Sequence, residues 1–154
     1  MTISELGSLG EFLGSIAVVV TLVYLSTQLR QNTRAVRAAA TQSLDQSVTQ
    51  NIAMWSTSRE NAVLMARGMR SPEALSEEES IHFHMLISAF FLTMDTSFWS
   101  HRNRLLPDEL WDREQEVIRA WVNEPGGRTA WQRKRSQVTR QFREHVEAHL
   151  LDEP

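Results

Sequence analysis

From Phe12 to Leu29, between Glu11 and Arg30, the chain carries no charged residue. A helix rises 1.5 Å per residue, so roughly 18 residues cover about 27 Å, close to the hydrocarbon core of a bilayer. Strongly apolar residues dominate the stretch: Phe12, Leu13, Ile16, Val18, Val19, Val20, Leu22, Val23, Leu25 and Leu29. At roughly −0.3 to −0.6 kcal/mol each near a membrane-helix centre, they sum to roughly −3 to −6 kcal/mol. Ser15, Thr21, Ser26, Thr27 and Gln28 oppose that sum without cancelling it. The flanks differ in sign, with Glu5 and Glu11 upstream and Arg30, Arg34 and Arg37 downstream. Arginines favour the cytoplasmic side. The sequence therefore predicts a transmembrane anchor over residues 1–30, N-terminus outside, and a cytosolic α-helical domain over residues 31–154.

Two rivals explain the same stretch less well. A signal peptide needs a positive leading region, and this one is acidic. Three arginines also separate the apolar run from the small residues Ala38, Ala39 and Ala40. A buried helix of a soluble bundle rarely needs five turns free of charge. Composition narrows the chemistry further. There is no cysteine, which removes disulfides, thiolate catalysis and cysteine-ligated metals. A net charge of −3 gives no basic excess for nucleic acid.

No glycine or proline lies between Ser15 and Arg67, so nothing stops the anchor helix at the membrane surface. Val36, Ala40, Leu44, Val48, Ile52 and Trp55 recur at three- and four-residue steps, the stripe of an amphipathic helix. One helix is expected from about Leu9 to Ser56. A second, Ser58 to Arg67, follows the capping-box spacing of Thr57 and Glu60 and stops at Gly68. Ser76 with Glu79 caps a third, which runs to about Asn103 through the apolar stretch Met85–Met94 and forms the buried centre of the body. Pro107 opens a fourth. Pro125-Gly126-Gly127 breaks the chain, and a fifth carries Trp131, Val138, Phe142, Val146 and Leu150. Phe90, Phe91, Trp99, Trp111 and Trp121 are the expected core aromatics. The fold class is all-α: a transmembrane helix continuing into a long cytosolic helix, then a small helical bundle.

Gly7, Gly10, Gly14, Ala17, Thr21, Tyr24, Gln28 and Gln31 follow steps of three and four along the anchor. They share one face. Small residues let helix backbones approach closely in lipid, where packing drives association. The two glutamines can hydrogen-bond across helices, while Phe12, Ile16, Val19 and Val23 face lipid. This seam predicts self-association.

Other polar signals are weaker. His145 and His149 share a helix face, but no third metal ligand accompanies them. His82 and His84 point to different faces. Asp95 follows the most apolar run and needs a partner, for which His101, Arg102 and Arg104 are the candidates. Arg128, Arg133, Lys134, Arg135, Arg140 and Arg143 give the last helix a basic face.

The run Gly10-Glu11-Phe12-Leu13-Gly14-Ser15-Ile16-Ala17-Val18-Val19-Val20-Thr21-Leu22-Val23-Tyr24-Leu25, with Gln28-Leu29-Arg30-Gln31-Asn32-Thr33-Arg34-Ala35 after it, resembles the start of a widespread bacterial family of uncharacterised small membrane-anchored proteins. The resemblance implies a single-pass helical protein of the bacterial inner membrane. It brings no activity, cofactor or catalytic residue. The expected function is that of a non-enzymatic scaffold or adaptor that self-associates or docks on a larger membrane complex. Its partners are the bilayer and a second copy or a membrane complex, with no nucleic acid and no cofactor. The alternative is a small tethered enzyme or metal-binding domain, with Asp95, His101, His145 and His149 as its only candidates.

Overall fold

The first helix, α1, runs Ile3–Ser56, through Gly7, Gly10 and Gly14, and stops just before Ser58, which caps the next helix. The computed structural model describes residues 3–152, so the expected domain limits at Met1 and Pro154 lie outside the described residues. The chain is all-helical, a long N-terminal apolar helix followed by a helical bundle. It divides into two compact units, Met1–Ala38 and Ala39–Pro154.

In the first unit every large apolar side chain from Phe12 to Leu29 is exposed. No soluble core receives them, and a solvent-facing apolar surface of that extent marks an interaction or membrane surface. The segment is long and apolar enough to cross a membrane, and none of it is buried.

In the second unit α1 contributes Leu44, Asn51 and, partly buried, Val48 and Trp55. Of the six residues in the expected stripe, Ala40, Leu44, Val48 and Trp55 are at least partly buried. Val36, in the first unit, is exposed; Ile52 is exposed at the lip of a groove, and Asn51 takes the inward position. Its amide donates to Thr93 Oγ1 at 2.8 Å, which makes the buried polar group tolerable.

The second helix, α2, spans Arg59–Arg70 and is capped by Ser58, whose hydroxyl accepts from Asn61 N. Gly68 does not end it. A Cβ on Gly68 would sit 2.3 Å from the Phe83 ring, so glycine serves close packing at that position. Ser71 ends the helix instead, ahead of a short 3₁₀ turn at Pro72–Ala74.

Helix α3, Glu77–Arg102, begins with a complete capping box: Ser76 Oγ accepts from Glu79 N, and Ser76 N donates to the Glu79 carboxylate. These bonds, with the guanidinium of Arg67, hold the Glu79 carboxyl below its usual range. Next come α4, Asp108–Asn123, and α5, Pro125–Lys134. The last helix, α6, spans Arg140–His149. Two sequence expectations fail over this region. Pro125-Gly126-Gly127 starts a helix, since proline suits a first turn and the glycines allow tight contact. The expected fifth helix is two, interrupted after Lys134 and restarted after Thr139. Restarting it needs a tertiary partner: Asp95 accepts from Thr139 N at 2.8 Å and from Thr139 Oγ1 at 2.6 Å.

The core centres on α3, which packs against α2, α4, α5 and α6. Phe83, Ile87, Phe91, Trp131, Phe142 and Val146 are almost wholly buried. Phe90 stacks on the half-buried Trp121, ring centroids 4.4 Å apart. Trp99 lies outside the core at 39% exposure. The apolar run on α3 has two destinations, because the helices packed around α3 leave one of its faces uncovered. Ile81, Met85, Leu92 and Trp99 line that face and are exposed.

Candidate functional site

Each predicted seam residue is on α1, and Gly7, Gly10, Gly14, Ala17, Thr21, Tyr24, Gln28 and Gln31 are all exposed. Cβ atoms placed on Gly7, Gly10 or Gly14 would meet nothing within 4 Å. The glycines therefore answer no packing need within this chain, unlike Gly68, Gly126 and Gly127.

The polar residues of the apolar segment are satisfied by the helix itself. Ser15 Oγ donates to Phe12 O, Thr21 Oγ1 to Ala17 O, Ser26 Oγ to Val23 O and Thr27 Oγ1 to Tyr24 O, all at 2.7–3.0 Å. Such back-bonding removes the cost of an unpaired hydroxyl in hydrocarbon. Gln28 Nε2 reaches Tyr24 Oη at 3.3 Å, which links two seam positions along the helix. The hydroxyls counted against insertion thus oppose it less than their side chains alone suggest.

In the second unit the candidate polar residues have structural roles. Asp95 is spent on Thr139 and touches none of its expected partners. His101 pairs with Asp108 at 2.9 Å, and Arg102 lies over the Phe98 ring. His145 Nε2 is 2.9 Å from Gln115 Oε1, and its ring packs beside Phe98, Trp111 and His149. Burial, then the charges of His149 and His101, push its pKa down. His84 is buried with a lowered pKa, for the same first reason and through Arg133 and Lys134. Among the described residues no group of three His, Asp or Glu side chains is placed to hold a metal ion. The basic face of the last helix dissolves once that helix is two. Arg135 pairs with Glu147, Arg140 with Glu144, and Arg128 donates to Asn123 Oδ1.

One residue passed over in the sequence stands out. Glu114 is only 6% exposed, and its Oε2 is buried without a hydrogen-bond partner. Burial pushes its pKa up and Asp45 adds to the rise. Ser97, which is close but makes no well-formed hydrogen bond, and Arg113 pull it back. The signal was present in the spacing. Trp111, Glu114, Ile118 and Val122 are the buried residues of α4, so a charged residue occupies the apolar stripe. Glu114 lines a groove of about 450 Å³ together with Val48, Ile52, Phe90, Met94 and Trp121.

No family model matches the chain, and no curated protein or solved structure matches it.

Proposed function

We propose that this protein is a single-pass, membrane-anchored helical scaffold that self-associates through the glycine seam of α1. The observation that carries the reading is the segment Phe12–Leu29: wholly uncovered, apolar, and with its serine and threonine hydroxyls bonded to its own backbone. In water such a surface is costly; in lipid it is the ordinary state of a spanning helix. The charge asymmetry of the flanks supports an outside N-terminus and a cytoplasmic bundle in a bacterial inner membrane. The open space around Gly10 and Gly14 supports a backbone-to-backbone approach by a second helix. Ile81, Met85, Leu92 and Trp99 offer the bundle a second apolar contact face for a membrane complex. Asp95, His101 and His145 have structural partners and His149 only packs on the ring of His145, which favours a scaffold over an enzyme.

The test replaces Gly10 and Gly14 with leucine. Insertion should survive, because the segment becomes more apolar, while the particle mass in detergent should fall towards the monomer. Phe12→Leu with Ile16→Leu alters only the lipid face and should leave the mass unchanged. A glycine variant that stays in the membrane at full oligomeric mass eliminates the seam as the interface.

A further inference from the structure

The groove lined by α1, α3 and α4 has the makings of a ligand site that the scaffold reading does not use. Its walls are apolar and aromatic: Val48 and Ile52 of α1, Phe90 and Met94 of α3, Val117 and Trp121 of α4. The stacked rings of Phe90 and Trp121 give it a flat face. At about 450 Å³ it falls in the size range of small-molecule sites. Its polar complement is unbalanced. Asp45 and Glu114 both line it, against the single guanidinium of Arg113. Asp45 and Arg113 are exposed and solvated. Glu114 is more than nine-tenths buried; its Oε2 is closed off from solvent beside the Ser97 hydroxyl, and its other oxygen has no hydrogen-bond donor among the described residues.

A carboxylate so buried, with only the Ser97 hydroxyl close to it, is costly unless something supplies a further donor. The groove could have been closed by a leucine at this position on the apolar stripe of α4. A glutamate placed there instead sets a fixed acceptor against aromatic walls. An anionic ligand would meet two carboxylates. A bare metal ion would find too few ligands, and a purely apolar molecule would leave the Glu114 carboxylate without a further donor. An ammonium group on an apolar or aromatic body meets every requirement. Its N–H groups donate to Glu114, its charge suits the acidic excess, and it lies near the ring faces that attract cations.

We propose that this groove binds a small aromatic or aliphatic amine, with the ammonium held by Glu114 and the apolar body against Phe90 and Trp121. Binding is independent of the α1 seam, because every lining residue belongs to the second unit.

The experiment titrates full-length protein in detergent with phenethylamine and follows tryptophan emission, since Trp55 and Trp121 both line the groove. Phenethyl alcohol and 3-phenylpropionate are the charge controls. Saturable binding with a half-point at or below about 10 mM is expected for the amine, as suits so small a probe. The alcohol should bind about tenfold more weakly or worse, and the carboxylate should not bind. Glu114→Gln keeps the shape and should erase the preference for amine over alcohol. Val117→Trp, at an exposed position on the rim, should block both compounds without disturbing the core. Equal binding of amine and alcohol overturns the proposal. So does a preference that survives Glu114→Gln in folded protein, or no saturation by the amine over the accessible range.

Discussion

Gly126 is where the bundle tolerates least change, and Gly126→Ala tests the packing sharply. Glycine sits near the start of α5, where the helix meets the end of α2. A Cβ added there would lie 1.9 Å from Gly68 O and 2.7 Å from Met69 Cα. Real Cβ contacts essentially never fall below 3.0 Å, so the two helices must part by at least 3.0 − 1.9 = 1.1 Å. The opposing atoms are backbone, and no rotamer change relieves them. Propensity argues the other way: alanine in a helix is favoured over glycine by about 1 kcal/mol. Forcing extra volume into a close-packed contact costs typically about 1–3 kcal/mol, and immovable backbone places this case at the upper end. The clash therefore outweighs propensity, with a net loss of about 2 kcal/mol. For a body of this size that corresponds to a fall of roughly 8 °C in Tm. Thermal unfolding of full-length protein in detergent, followed by circular dichroism, measures it. Gly14→Ala is the control, because its Cβ meets nothing, and it should leave the Tm of the bundle in place. A Gly126→Ala protein at or above the wild-type Tm would refute the α2–α5 contact as drawn.

Two further outcomes follow from the buried polar groups. Asp95→Ala removes two hydrogen bonds from Thr139, the residue that precedes α6, and leaves its N–H and hydroxyl without that acceptor, so it should cost about 2–3 kcal/mol in denaturant unfolding. Thr139→Ala should cost less, and the double variant little more than Asp95→Ala alone, since both remove the same contact. For pH, His84 and His145 have folded pKa values below the ordinary 6.5, chiefly through burial. The native state then binds fewer protons than the unfolded one, so their neutral forms are compatible with full stability above about pH 6.5, and stability is lost as pH falls below it. Glu114 acts oppositely: its raised pKa means that its burial penalty grows as pH rises above 4.5. In the unfolded state the histidines take up protons near 6.5, so their contribution to Tm should fall between about pH 7.5 and 5.5. His84→Leu with His145→Leu should flatten that slope whatever it does to the absolute Tm; an unchanged slope would remove both histidines from the account.

Much of the architecture could be read from residue types because local signals and global packing agree there. The uninterrupted α1, the Ser76–Glu79 capping box and the opening of α4 at Pro107 all depend on residues within a turn or two of each other. Expectations failed where a residue answered to a distant partner. Gly68 looked like a stop but makes room for Phe83. Pro125-Gly126-Gly127 looked like a break but lets α5 approach α2 and the carbonyl of Trp121. The division of the last helix depends on Asp95, more than forty residues away from Thr139 in sequence. Trp99 was expected inside because tryptophan is large and apolar, but its helical phase is shared with Ile81, Met85 and Leu92 on the outer face. The proposed seam rests on a pattern of small residues at helical spacing. Glu114 and Asn51 show in the sequence only as single polar interruptions of apolar stripes, with no charged cluster around them.

The central claim is that Phe12–Leu29 lies in a membrane, and extraction of native membranes at alkaline pH tests it most directly. Peripheral proteins and soluble contaminants are released by that treatment, while a spanning helix stays with the lipid. The full-length chain should remain in the membrane pellet and leave it only with detergent. Recovery of most of the protein in the alkaline supernatant, as a folded species without lipid, would contradict the account and require another cover for the apolar face of α1.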